Sequence, residues 1–130
     1  MNRSEFIERR KNERFQAQEN TFVRSSSNSQ RYWKIINISK GGLAFRYVSK
    51  GREKWDRSHE LDIVKRSASR DTLYSVRKIP FENVSDFEIV QEPVSYFAVR
   101  RCSVQFGKIT DYQISRLEAF IPSHTLAEAR

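Results

Sequence analysis

The stretch RRCSVQFGKITDYQISRLEAFIP, Arg100–Pro122, carries the change of period on which the fold turns. Up to Phe106 it reads as the end of a strand, SYFAVRRCSVQF, expected to be the longest in the chain. From Thr110 the spacing becomes helical. Thr110 is placed as an N-cap and Gln113 as its N3 partner, the two halves of a capping box. Ile109 and Ile114 stand where a hydrophobic staple would close. Ile114, Leu117 and Ile121, joined by Phe120, give an apolar stripe, and Pro122 is expected to stop the helix.

Everything before this helix reads as strands. NTFVRSSSNSQRYWKIINIS predicts two strands around a turn at Ser25–Ser29. In GGLAFRYV, Leu43, Phe45 and Tyr47 share one face, while Ala44, Arg46 and Val48 share the other. SKGREKWDRSHE is a charged loop. LDIVKR, TLYSVRKI and DFEIVQE read as three further strands. Six or seven strands followed by one helix predict a mainly all-β fold. A six- to seven-stranded antiparallel β-barrel with a C-terminal α-helix packed on it satisfies this best, because closure removes exposed edges. A half-open sandwich is the alternative. The expected organisation is an N-terminal arm over 1–18, a barrel with its helix over 19–122, and a frayed tail over 123–130. Trp33, Phe45, Phe97, Phe106 and Phe120 are expected to fill the core. Trp55, in the charged loop, either folds back onto the barrel or offers a stacking surface.

The chain has 130 residues, enough for one core, and a formal net charge of +8. Of its 24 basic residues 16 are Arg, the forked cation that suits phosphates and guanine edges. Such a balance fits an anionic partner, or simply a soluble basic surface. Cys102 is the single cysteine, so no internal disulfide can form, and its strand context predicts a buried thiol. His59 and His124 stand far apart, and no Cys/His cluster suggests a metal. No apolar run approaches membrane-spanning length and no apolar leader is visible, so a cytoplasmic protein is expected. No nucleophile–base pair, phosphate loop or paired-carboxylate signature is legible, which predicts a binding module and no enzyme. Asp86 and Glu88, two apart on a strand, read as a solvated face.

Two short motifs remain. ERRKNERF, Glu8–Phe15, crowds four cations and two acids into eight residues, with Arg10 and Arg14 spaced R-x-x-x-R. Arg66 and Arg70 share that spacing, so the pair alone says little. NISKGG, Asn37–Gly42, falls between the second and third predicted strands. It is either a hairpin turn bonded to its own backbone or a polar corner that meets a ligand. The order of the two motifs, with GGLAF and the C-terminal end, resembles the PilZ domain family over about Glu8 to Ile121.

That resemblance implies binding of the second messenger cyclic di-GMP, with Arg10, Arg14, Asn37, Ser39 and Gly42 at the site. Arg9 stands just before the motif. In family members with Arg there, the ligand tends to bind as an intercalated dimer. Many members carry Asp where this chain has Asn37, which removes a carboxylate from the guanine edge. The chemistry agrees: a guanidinium fork matches guanine O6 and N7, and phosphates attract cations. The resemblance further implies an unidentified downstream protein that reads a conformational change, and no cofactor beyond the ligand. Arg100 and Arg101 could flank the site, but strand alternation sends them to opposite faces. A small basic β-barrel binding single-stranded nucleic acid is the competing reading.

Overall fold

The computed structural model describes residues 14–50, 55, 60–90 and 97–128. Eight strands and one helix follow one another: β1 (Phe15–Ala17), β2 (Thr21–Ser25), β3 (Asn28–Ile38), β4 (Gly42–Lys50), β5 (Glu60–Arg66), β6 (Thr72–Val90), β7 (Phe97–Phe106), the helix α1 (Asp111–His124) and β8 (Thr125–Glu128). The sheet runs β2-β5-β6-β7-β4-β3-β1-β8, and β2 also pairs with β3. That last pairing closes six strands into an antiparallel barrel. The expected fold class is therefore the observed one. β1 lies outside the ring, continuing the edge of β3 beyond β2, and β8 lies against β1.

Alternation explains what fills the barrel. Leu43, Phe45 and Tyr47 of β4 are buried, whereas Arg46, Val48 and Lys50 are exposed; Ala44, of the outer parity, is buried as well. On β7 the inward set is Cys102, Val104 and Phe106. Phe97, expected in the core, is 58% exposed instead. It shares the outer parity of Val99 and Arg101, which an isolated segment does not reveal. Trp55 folds back: its ring stacks on Phe81 and meets Phe45 edge-on, and its Nε1 donates to Asn83 Oδ1.

The predicted strands TLYSVRKI and DFEIVQE are one continuous strand, β6, of 19 residues, so β6 rather than β7 is the longest. Its first part pairs with β5 as far as Pro80, and its second pairs with β7 from Phe81 onward. Pro80 marks this change of partner. Beside it Lys78 takes a left-handed φ of 56°. The strand thus turns the barrel's corner without ending, where Pro would ordinarily suggest a boundary.

The helix begins as its sequence dictates. Thr110 N donates to Gln113 Oε1 at 2.9 Å, and Gln113 N donates to Thr110 Oγ1 at 3.1 Å. The same Gln113 amide donates to the carbonyls of Arg77 and Lys78, fastening the cap to the β6 corner. Leu117, Phe120 and Ile121 are buried and Ile109 packs against the core, while Ile114 stays exposed. The helix continues to His124, past Pro122, and Thr125–Glu128 then forms β8 rather than a frayed end. Proline so close to a C-terminus removes a single backbone bond, which a last turn tolerates.

Candidate ligand-binding face

β1 brings the leader to the polar corner. Phe15 pairs with Ile38 and Gln16 with Asn37, antiparallel, so Arg14 emerges beside the residues that follow Ile38. Arg14 is exposed. Arg9 and Arg10 lie outside the described residues. Backbone pairing of β1 with β3 thus brings Arg14 to the end of β3 at which the corner begins.

The corner is built by its own hydrogen bonds. Ser39 N donates to Gly42 O at 2.8 Å, Gly41 N donates to Ser39 Oγ at 3.1 Å, and Ser39 Oγ donates to Gly42 O at 3.3 Å. Gly41 O accepts from Phe106 N, tying the turn to β7. Ser39 is buried, so its hydroxyl serves the turn, as the backbone-bonded reading predicts. At Gly42 the backbone of β7 approaches closely. The place its Cβ would take is filled by Val104 O, 2.2 Å away, and not by open space for a ligand. The missing side chain lets β4 and β7 approach. Asn37 differs from both: it is half-buried, and among the described residues its amide has no hydrogen-bond partner.

Register places Asn37 in a definite row on the outer sheet face. Asn37 pairs with Ala44, Ala44 with Ser103, and Ser103 with Ser85. Two residues further along β4, Arg46 pairs with Arg101, which in turn pairs with Phe87. Directly opposed residues share a face, so Arg46 and Arg101 stand on Asn37's side of the sheet. Arg46 was not singled out by the sequence. Its parity with Ala44 was legible, but its neighbour across the strand was not.

Arg100 points the other way. Its Nε donates to Asp86 Oδ1 at 2.6 Å, and its Nη1 lies 3.6 Å from Glu88 Oε1. Tyr47 Oη donates to Asp86 Oδ2 at 2.6 Å. The hydrogen bond to Asp86 raises the Arg100 pKa, and burial followed by the bond to Asp86 raises that of the Tyr47 phenol. Asp86 is thus the hub of an inward network, where a solvated carboxylate was expected. Cys102 is buried, and its Sγ donates to Asn83 Oδ1 at 3.3 Å. Among the described residues, no cluster of His, Cys, Asp and Glu could hold a metal, and no helix is long and apolar enough to cross a membrane.

These features define a closed antiparallel barrel of the PilZ type, with an arginine-bearing leader paired beside a polar corner. Among solved structures, the chain is similar to the PilZ domain with c-di-GMP of YcgR from Escherichia coli. The TM-score is 0.56 at 15% sequence identity, over 89% of this chain and 91% of that one. No protein-family profile and no curated protein matches the sequence.

Proposed function

We propose that the chain is a cyclic di-GMP receptor that performs no chemistry and signals through a partner protein. One observation carries this reading: the pairing of Phe15 and Gln16 with Ile38 and Asn37, which sets Arg14 against the Asn37–Gly42 corner. It occurs in a fold shared with a domain whose described ligand is c-di-GMP. Arg10 and Arg14 supply guanidinium forks to guanine O6/N7 and to phosphate. Asn37 offers its uncommitted amide to a guanine edge. Ser39 and Gly42 act indirectly, by holding the corner in shape. Arg9 adds a third cation, suited to an intercalated ligand dimer. Ligand contacts made by the arm, residues 1–18, give the bound arrangement its own free energy, which is what a switch requires.

Isothermal titration with cyclic di-GMP tests this reading. The wild-type chain is expected to bind two molecules. Arg14→Ala should weaken binding by at least roughly 100-fold, because a charge-assisted bidentate contact is lost. Its unfolding midpoint should not move, since Arg14 is exposed and outside the core. Unchanged affinity in Arg14→Ala would remove the site. A stoichiometry of one would remove the role given to Arg9.

A further inference from the structure

Two like charges face one another on the outer sheet. Arg46 and Arg101 are register partners across β4 and β7. At such positions Cβ atoms stand about 5 Å apart, and like charges directly opposite are destabilising. Among the described residues neither guanidinium has an acidic partner: the ion pairs engage Arg24, Arg77 and Arg100 instead. A third cation lies nearby. Ile35 of β3 pairs with Phe45, the residue before Arg46, and Lys34, the residue before Ile35, is exposed. Arg46 and Arg101 are thus register partners, with Lys34 on the strand beside Arg46. The Asn37–Ala44–Ser103 row lies two residues away along β4, roughly 7 Å. The side chains between, Ala44 and Ser103, are too short to screen one row from the other.

We propose that Arg46 and Arg101, flanked by Lys34, form a phosphate-binding subsite that continues the Asn37 face along the sheet. An anion between the two guanidinium groups converts their mutual repulsion into a pair of charge-assisted hydrogen bonds. The ligand class is a nucleotide with more than one phosphodiester, one end at Arg14 and Asn37 and a phosphate over the arginine pair. This inference rests on reading the face as a cyclic di-GMP site.

The test uses Arg46→Gln, Arg101→Gln and the double variant, with Arg70→Gln as a control for the loss of one positive charge elsewhere. Without ligand, each single variant should unfold at the same temperature as the wild type or higher, because a repulsion has been removed. Cyclic di-GMP affinity should fall roughly tenfold for each of Arg46 and Arg101, and stay unchanged in Arg70→Gln. Equal affinity in the wild type and the double variant would overturn the subsite while leaving the receptor reading intact. If the wild type binds no cyclic di-GMP, the receptor reading falls, and inorganic pyrophosphate decides the subsite. Saturable shifts of the Arg46 and Arg101 Nε–Hε resonances on its addition would uphold it, and unmoved resonances would overturn it.

Discussion

Replacing Asp62 by Ala should cost about 3–5 kcal/mol of folding stability, the largest loss expected from one side chain here. Asp62 is a carboxylate with only 1% of its side chain exposed, on β5 in register with Arg24 of β2. Its Oδ2 accepts from Arg24 Nε at 2.8 Å, and its Oδ1 accepts from Ser26 Oγ at 2.7 Å and Lys78 N at 2.9 Å. Removing it leaves the half-buried Arg24 without its counter-charge, and leaves the Lys78 N–H without its acceptor where the backbone turns left-handed. Among the described residues, only Tyr32 would still hold Arg24, through its hydroxyl at 2.6 Å and its ring.

Acid provides an independent check on the same group. Burial alone would raise the Asp62 pKa, but the Lys78 N–H, the Ser26 hydroxyl and the Arg24 guanidinium outweigh it and hold the pKa below the ordinary carboxylate value. A depressed folded pKa means the unfolded chain takes up the proton first. The contribution of Asp62 is therefore complete above about pH 4 and is lost as pH falls through the lower folded value. Urea unfolding across pH 2–7 should show a wide gap between the wild type and Asp62→Ala at neutral pH that narrows below about pH 4. A gap that stays constant with pH would show that the carboxylate's charge is not what stabilises this corner.

Gly42→Ala should destabilise by about 3 kcal/mol, at the upper end of the usual cost of overpacking. The new methyl would fall 2.2 Å from Val104 O and 3.3 Å from its carbonyl carbon. Both are backbone atoms of β7, held by the continuous ladder from Gly42–Gln105 to Lys50–Phe97. No rotamer relieves such a clash, so one strand must move. Because Gly42 O accepts both from the Ser39 N–H and from its hydroxyl, the corner moves with it. Chemical denaturation should show the loss, and nucleotide affinity should fall in parallel. Arg14→Ala separates the two effects, losing binding without stability. A stable Gly42→Ala would mean that β4 and β7 are not packed as described.

What the sequence made legible was mostly local. The capping box needed only Thr110 and Gln113, three residues apart, and it forms as read. The β4 alternation holds for Leu43, Phe45 and Tyr47 against Arg46 and Val48, although Ala44, of the outer parity, is buried too. What failed needed a second strand. β6 reads as two segments because Pro80 looks like an end, yet Pro80 stands where the strand exchanges β5 for β7. β1 has three residues and β8 four, too few for any period to show, and their strand character comes from pairing with β3 and with each other. Asp86 looked solvated until Tyr47 and Arg100 converged on it from β4 and β7. In the candidate site, the composition of NISKGG was legible but its division of labour was not. Ser39 and Gly42 are consumed by the turn and by β7, and Asn37 keeps its amide uncommitted. The Arg46–Arg101 pair depended entirely on register.

The proposed ligand, a cyclic dinucleotide with two guanines and two phosphodiesters, should lie on the outer face where β1, β3 and β4 are paired. Amide chemical-shift mapping during a cyclic di-GMP titration tests it most directly. The account predicts that the largest shifts fall on Arg14–Ala17, on Asn37–Gly42 and on Ala44, while β5 and the Thr72–Ser75 part of β6 stay still. Shifts centred on β5 and α1, or none at all at saturating nucleotide, would contradict it.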